Sequence, residues 1–191
     1  MSKINEQDWQ MNRFILDQNP VKAAEYHCDK HVVKMILEEA QMLSTVHRII
    51  DGDEYVDASS GRKIKRWRLN DDRELTLYKA THVNHPCTQW AMQSSDNYVW
   101  AVMLFRALLN EYRHRYNKVH KCEMLWKTLH HKPNGMKNGP VYEFPQAMPD
   151  DCKQNDPVEG YRKYYIEHKA RFAKWTNREM PDWFSNGTQK I

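Results

Sequence analysis

The chain has 191 residues, enough for one domain with a real core or for one domain with a small appendage. Hydrophobic residues make up 40% and charged residues 28%, and there are only 6 glycines, which favours long elements over a turn-dense β-architecture. The net charge of +4 suits an anionic partner without requiring one. The longest apolar run, Tyr98 to Phe105, is far short of the ~20 residues of a membrane span. Cys28, Cys87, Cys122 and Cys152 form no CxxC pair, and no basic-then-apolar leader precedes them. Reduced thiols in a cytoplasmic protein are therefore expected.

Residues 1–11 read as a polar extension and 12–191 as one helical domain. Arg13 to Asp17 is a short apolar run, a strand or an extended entry segment. Asn19-Pro20 opens a short helix to about His27, with an Asn cap and Pro in the first turn. Asp29 then caps a long helix to about Ile50, whose core face is Val32, Val33, Ile36, Leu37, Ala40 and Leu43. Residues 51–70 break the helical period, and a Ser-Ser-Gly turn between two short runs predicts a β-hairpin insert. A short helix near Arg73–Lys79, a turn at Thr81–Pro86 and a helix from Pro86 follow. Ser94-Ser95-Asp96 starts the most hydrophobic helix, to about Tyr116, with Val99, Met103 and Leu104 on its core face and Trp100, Ala107 and Leu108 widening it. Cys122–His131 reads as a helix and Lys132–Pro149 as a long loop. Asp156-Pro157-Val158-Glu159 is a capping box opening a helix to about Trp175. The fold class is mainly α, a single helical domain with a small hairpin insert.

On the long helix His31, Lys34, Glu38, Gln41 and Thr45 recur at +3 and +4, within an arc of roughly 80°. His27 extends the stripe by one turn. A solvated face is the ordinary meaning of such a pattern. This one combines imidazoles, an amine and a carboxylate, the groups general acid–base chemistry uses, and Lys34 and Glu38 at i,i+4 tune each other. His47, on the opposite side, reads as a buried histidine holding a core hydrogen bond. His27 and His31 also have the spacing to grip a metal with His85 or Cys87, but no metal or cofactor is expected.

A second segment, Thr81 to Trp90, places His82, Asn84, His85 and Trp90 around a helix N-terminus. There, free amides attract phosphate or carboxylate, and Asn84 equally suits a capped turn. Arg66, Trp67 and Arg68 end the densest basic run, Arg62 to Arg68. Cations around a Trp fit phosphate contact and base stacking, or else a charge-protected strand edge. Lys163 and Tyr164 belong to a second basic-aromatic patch, and Arg113, His114, Arg115 and His120 add to the basic surface. Together they favour DNA or a nucleotide as ligand over a neutral metabolite.

Three stretches carry a resemblance: FILDQNP with HCDKHVVKMILEEAQMLSTVHR, then NHPCTQW, then NEYRHRY. They look like small proteins of tailed phages. In the order of their elements, over roughly residues 12–120, they resemble the pyrimidine-dimer DNA glycosylase (endonuclease V) family and its short bacterial relatives. Lys34, Glu38 and Asn84-His85-Pro86 are the matching positions. The resemblance implies attack of an amine on C1′ of a flipped, damaged nucleotide, an imine, and strand cleavage by β-elimination. Glu38 takes the part of the catalytic carboxylate. The family uses a free N-terminal amine, but here the matching segment begins near Met11, behind ten further residues. That leaves Ser2, if the extension folds back, or Lys34, if burial lowers its pKa, as the amine.

A DNA glycosylase/lyase-like enzyme is thus the leading expectation, with Glu38, Lys34 and His31 catalytic and His85 a proton or phosphate partner. A protein that sequesters a nucleotide or cyclic nucleotide in the same pocket is the alternative, or a phosphodiesterase using His27, His31 or His85. A structural nucleic-acid-associated protein is the third.

Overall fold

The computed structural model describes residues 11–188, so residues 1–10, with Ser2, lie outside the described residues. Its elements in chain order are α1 (Pro20–Tyr26), α2 (Asp29–Asp51), β1 (Asp53–Asp57), β2 (Ile64–Arg68), α3 (Arg73–Thr76), α4 (Pro86–Gln93), α5 (Ser95–Tyr116), α6 (Trp126–Leu129), α7 (Pro157–His168) and α8 (Asp182–Thr188). Two 3₁₀ turns, Lys121–Leu125 and Asp150–Cys152, complete them. Among the described residues the architecture is mainly α, with one two-stranded antiparallel hairpin that pairs Asp53 with Arg68 and Asp57 with Ile64.

The helix boundaries follow local chemistry. Asn19 Oδ1 accepts from Val21 N at 2.9 Å, Pro20 fills the first helical position, and Asp156 Oδ1 accepts from Val158 N at 2.9 Å ahead of α7. Ser94 caps α5, and Asn117 ends it in the left-handed region at φ 51°. Asp29 departs from its expected capping role. It is the first residue of α2, and its carboxylate accepts from Thr176 and Arg115, tying the helix start to the C-terminal region and to α5. Gly61, at φ 77°, turns the hairpin. At Gly52 a Cβ would lie 2.5 Å from the Arg48 carbonyl oxygen, so glycine lets the chain leave α2 directly into β1.

The core runs between α1, α2, α4 and α5. Val32, Met35, Ile36, Leu43 and Val46 of α2 meet Leu104, Phe105 and Leu108 of α5 within it. Each such side chain contributes roughly 1.5–3 kcal/mol by leaving water. The core arcs differ from the expected ones: Val33, Leu37, Val99 and Met103 are exposed. On α2 the buried surface spreads instead over Met35, Met42 and Val46, because neighbours cover the helix on several sides. On α5 it centres on Trp100, Ala101, Leu104, Phe105 and Leu108.

Other boundaries also shift. Arg13–Asp17 is extended but unpaired, and residues 13–16 are buried. Cys122–His131 splits into a 3₁₀ turn and the one-turn α6, α7 stops at His168 where Trp175 was expected, and α8 had not been foreseen. The loop at 132–149 is irregular as expected, yet strapped to the core. Trp90 Nε1 donates to Tyr142 O at 3.2 Å, and Asn97 Oδ1 accepts from Tyr142 N at 2.8 Å.

Candidate active site

A cavity of about 400 Å³ opens where the extended segment at Met11–Phe14, α2, the start of α4, the loop at 146–149 and α7 meet. His31 and Lys34 of the α2 stripe line it. Lys34 Nζ lies 3.0 Å from Glu38 Oε1, and the backbone N–H of Asn12 donates to Glu38 Oε2 at 2.8 Å. Glu38 is 7% exposed and is not itself a lining residue, but it is bonded to two that are, Lys34 and Asn12. Burial pushes the Glu38 carboxyl above the ordinary glutamate range, against the lowering effects of the Asn12 amide and Lys34. His31, one turn earlier, stacks on Phe14 at 4.4 Å between centroids, and its Nδ1 is hydrogen-bonded to the Tyr165 hydroxyl. Burial, then the nearby His27 and lysines, hold His31 well below pH 6.5, so it acts as a neutral imidazole.

His85, at the start of α4, also lines the cavity. Its ring accepts from Cys87 N at 3.2 Å, so His85 is the cap of α4, a place the sequence offered to Asn84. Burial, then His82 and Arg13, lower the His85 pKa. Tyr164 and Lys169 of the α7 region line the cavity as well, with Lys169 Nζ 4.5 Å above the Tyr164 ring.

Arg13 and Glu39 form a bidentate ion pair with both contacts at 2.7 Å and both side chains fully buried. Arg13 Nη1 also donates to Cys87 O at 2.9 Å and its guanidinium lies over Trp90, joining the extended segment to α2 and α4. The adjacent glutamates therefore have different tasks: Glu38 bonds the lining residues Lys34 and Asn12, and Glu39 anchors the Met11–Phe14 segment through Arg13.

Sequence reasoning placed His31, Lys34, Glu38, His85 and Tyr164 in the functional set; His31, Lys34, His85 and Tyr164 line one cavity, and Glu38 is bonded to its lining residues Lys34 and Asn12. The others lie elsewhere. His27 is buried outside the cavity, with Nδ1 hydrogen-bonded to Ala23 O at 2.7 Å, and does not converge with His31, His85 and Cys87 within metal-ligand distance. Trp90 is a core residue packed against Trp100 and Phe144. Asn84 is exposed beside the α4 cap. Lys163 sits on the outer side of α7, donating to Asp151 O.

Arg66, Trp67 and Arg68 stand on the hairpin, held to the far end of α2 by Arg48, which donates to Trp67 O at 3.1 Å. That is ten residues beyond Glu38, about 15 Å along the helix. Arg115, counted with the basic surface, is instead buried, clamping the α1–α2 junction through the His27 and Glu25 carbonyls. Asn12, Arg13 and Lys169 were missed. The signals for them were a polar pair ahead of the buried FIL run and a lysine directly after α7, neither distinctive without the fold.

With this geometry in hand, comparison with known families matches residues 11–124 to pyrimidine dimer DNA glycosylase. The chain belongs to this family. The match begins at Met11, the first described residue, and covers the extended segment, α2, the hairpin, α4 and α5, so every cavity wall except the 146–149 loop and α7 comes from the family region. Searches among curated proteins and among solved structures gave no match. The family establishes a DNA glycosylase-like function at that level. Among the described residues no helix is long and apolar enough to cross a membrane.

Proposed function

We propose that the protein is a DNA glycosylase with lyase chemistry, acting on a damaged or modified nucleotide flipped out of duplex DNA. The observation that carries this reading is the Lys34–Glu38 pair, 3.0 Å apart, whose lysine lines a cleft that His85 also lines. Glu38, its proton affinity raised by burial, takes a proton from the Lys34 ammonium. The freed amine attacks C1′, and the base leaves with the electrons of the glycosidic bond and takes up the proton held by Glu38. Opening of the sugar gives an imine between Nζ and C1′, and loss of a C2′ proton expels the 3′-phosphate. The carboxylate also stabilises positive charge developing on the sugar. His31 and His85, both neutral, hold hydrogen bonds around the reacting sugar, and Tyr164 offers an aromatic face to a displaced base. The hairpin cations Arg66 and Arg68, with Trp67, contact the duplex away from the lesion.

Borohydride reduction of the imine tests this directly, on ultraviolet-treated and abasic duplexes. Wild type gives a covalent protein–DNA species, Glu38→Gln gives little, and Lys34→Met gives none while melting close to wild type. Absence of any trapped species on either substrate eliminates the lyase reading. Trapping undiminished in Lys34→Met removes Lys34 as the amine.

A further inference from the structure

The wall of the cavity formed by the 146–149 loop is followed at once by the 3₁₀ turn Asp150–Cys152, which packs against the last turn of α7. At that junction Asp151, Cys152, Glu167 and His168 each bring one donor atom, all within 4.8 Å of one another. Cys152 Sγ lies 3.4 Å from Glu167 Oε2. Donors of a tetrahedral zinc shell, with bonds of about 2.3 Å to sulfur and about 2.0–2.2 Å to nitrogen and oxygen, sit roughly 3.3–3.8 Å apart. The sulfur–oxygen pair already has that spacing, and no pair of the four donors is more than 4.8 Å apart. Glu167 and His168 are consecutive and would diverge on a regular helix, but α7 ends at His168, and both donors reach the same point.

The competing account is an ordinary polar cluster. Lys163 partly neutralises it, with Nζ 3.8 Å from Glu167 Oε1 and bonded to the Asp151 carbonyl. Two features separate the cluster from an acidic patch. The donors are one sulfur, one imidazole and two carboxylates, a mixed set that suits a borderline ion and suits calcium or magnesium poorly. The sulfur belongs to a fully buried cysteine on the inner side of the group, while the carboxylates approach from the solvent side.

We propose that Asp151, Cys152, Glu167 and His168 bind one zinc-class divalent ion that staples the cavity-lining loop to α7. Four protein donors fill a tetrahedral shell and leave no open position, so the ion is structural. It fixes Met148 and Pro149 against the turn carrying Tyr164 and Lys169, and thereby the width of the cleft mouth. This inference does not depend on the amine chemistry assigned to Lys34.

The test uses the full chain, stripped with a chelator and titrated with Zn²⁺ and with Co²⁺ as a spectroscopic substitute. One equivalent binds, Co²⁺ gives a thiolate charge-transfer band with tetrahedral d–d bands, and Zn²⁺ raises the melting temperature. Cys152→Ser abolishes the charge-transfer band. His168→Gln and Asp151→Asn, at less buried positions where folding is preserved, each weaken Zn²⁺ binding by at least about tenfold. Failure to bind Zn²⁺ stoichiometrically overturns the proposal, as does a Co²⁺ band that persists in Cys152→Ser or affinity unchanged in both His168→Gln and Asp151→Asn.

Discussion

Breaking the Arg13–Glu39 pair is the sharpest test of how the cavity is held. Both side chains have no exposure, and the guanidinium is satisfied by two bonds to Glu39 and one to the Cys87 carbonyl. Glu39→Gln keeps the volume and one acceptor but leaves a buried cation without its counter-charge. Arg13→Met leaves a buried carboxylate instead. Removing one partner of such a pair costs about 3–5 kcal/mol, because the penalty is that of an uncompensated buried charge. For a domain of this size that lowers the melting temperature by roughly 6–20 °C. The double variant Arg13→Met/Glu39→Leu removes both charges and fills the space with apolar atoms, so it melts above either single variant. Urea and thermal unfolding followed by circular dichroism measure all four proteins. Single variants within about 1 kcal/mol of wild type, or a double variant showing the simple sum of the singles, would refute the reasoning.

Three further outcomes follow from the same geometry. His27 and His47 are held neutral by burial down to about pH 4, whereas in the unfolded chain they take up protons near the ordinary value of about 6.5. The unfolded state therefore gains protons first, so stability present above pH ~6.5 declines as pH falls toward 4, by up to about 1.4 kcal/mol per unit for each histidine. A urea midpoint independent of pH across that window contradicts this, and His27→Gln flattens the profile. Because Glu38 lies above the ordinary carboxylate range, the acid limb of single-turnover trapping falls at a pH higher than about 4.3, and a limb at or below it removes Glu38 as the titrating group. Finally, Arg68→Ala lowers the salt-dependence slope of duplex binding by about 1 and leaves the trapping rate at saturating DNA unchanged, since the hairpin lies remote from the cavity. A changed saturated rate would place the hairpin in the chemistry.

Much of the fold was legible because it is written locally. The Asn19-Pro20 and Asp156-Pro157 caps, the Ser94 cap of α5 and the Gly61 turn of the hairpin each depend on a few neighbouring residues. The core arcs were less legible. Val33, Leu37, Val99 and Met103 fit helical spacing as well as the residues that became buried, and only the placement of the neighbouring elements decides between such arcs. The site divides in the same way. The α2 stripe and the turn at His85 announce themselves by residue type and spacing. The contribution of Asn12 is a backbone N–H, which carries no residue signature, and Lys169 reaches the cavity only because the end of α7, 135 positions along the chain from Lys34, folds back onto it. Trp90 erred in the opposite direction, since an aromatic residue near a helix start reads alike whether it stacks on a base or fills a core.

The position of residue 12 bears on which amine does the chemistry. The resemblance implies a free N-terminal amine as nucleophile, and the family match begins one residue before Asn12. In this fold the Asn12 nitrogen sits 2.8 Å from Glu38 Oε2, and Lys34 Nζ sits 3.0 Å from Oε1, so one carboxylate addresses two nitrogens from its two oxygens. Bound in a peptide, the Asn12 nitrogen has no available lone pair and serves only as a donor that orients Glu38. A chain released by a site-specific protease to begin at Asn12 converts that donor into an amine at the same place, while Asn12 Nδ2 still anchors the residue to Ala147 O at 2.7 Å. In that truncated protein, trapping becomes independent of Lys34, and Glu38→Gln still suppresses it. Peptide mapping of the reduced adduct reads the outcome, moving from the α2 peptide in the full chain to the N-terminal peptide in the shortened one. An adduct that stays on Lys34 in both proteins would show that Glu38 activates only the side-chain amine, and that the segment before α1 acts as a wall of the site and not as a reagent.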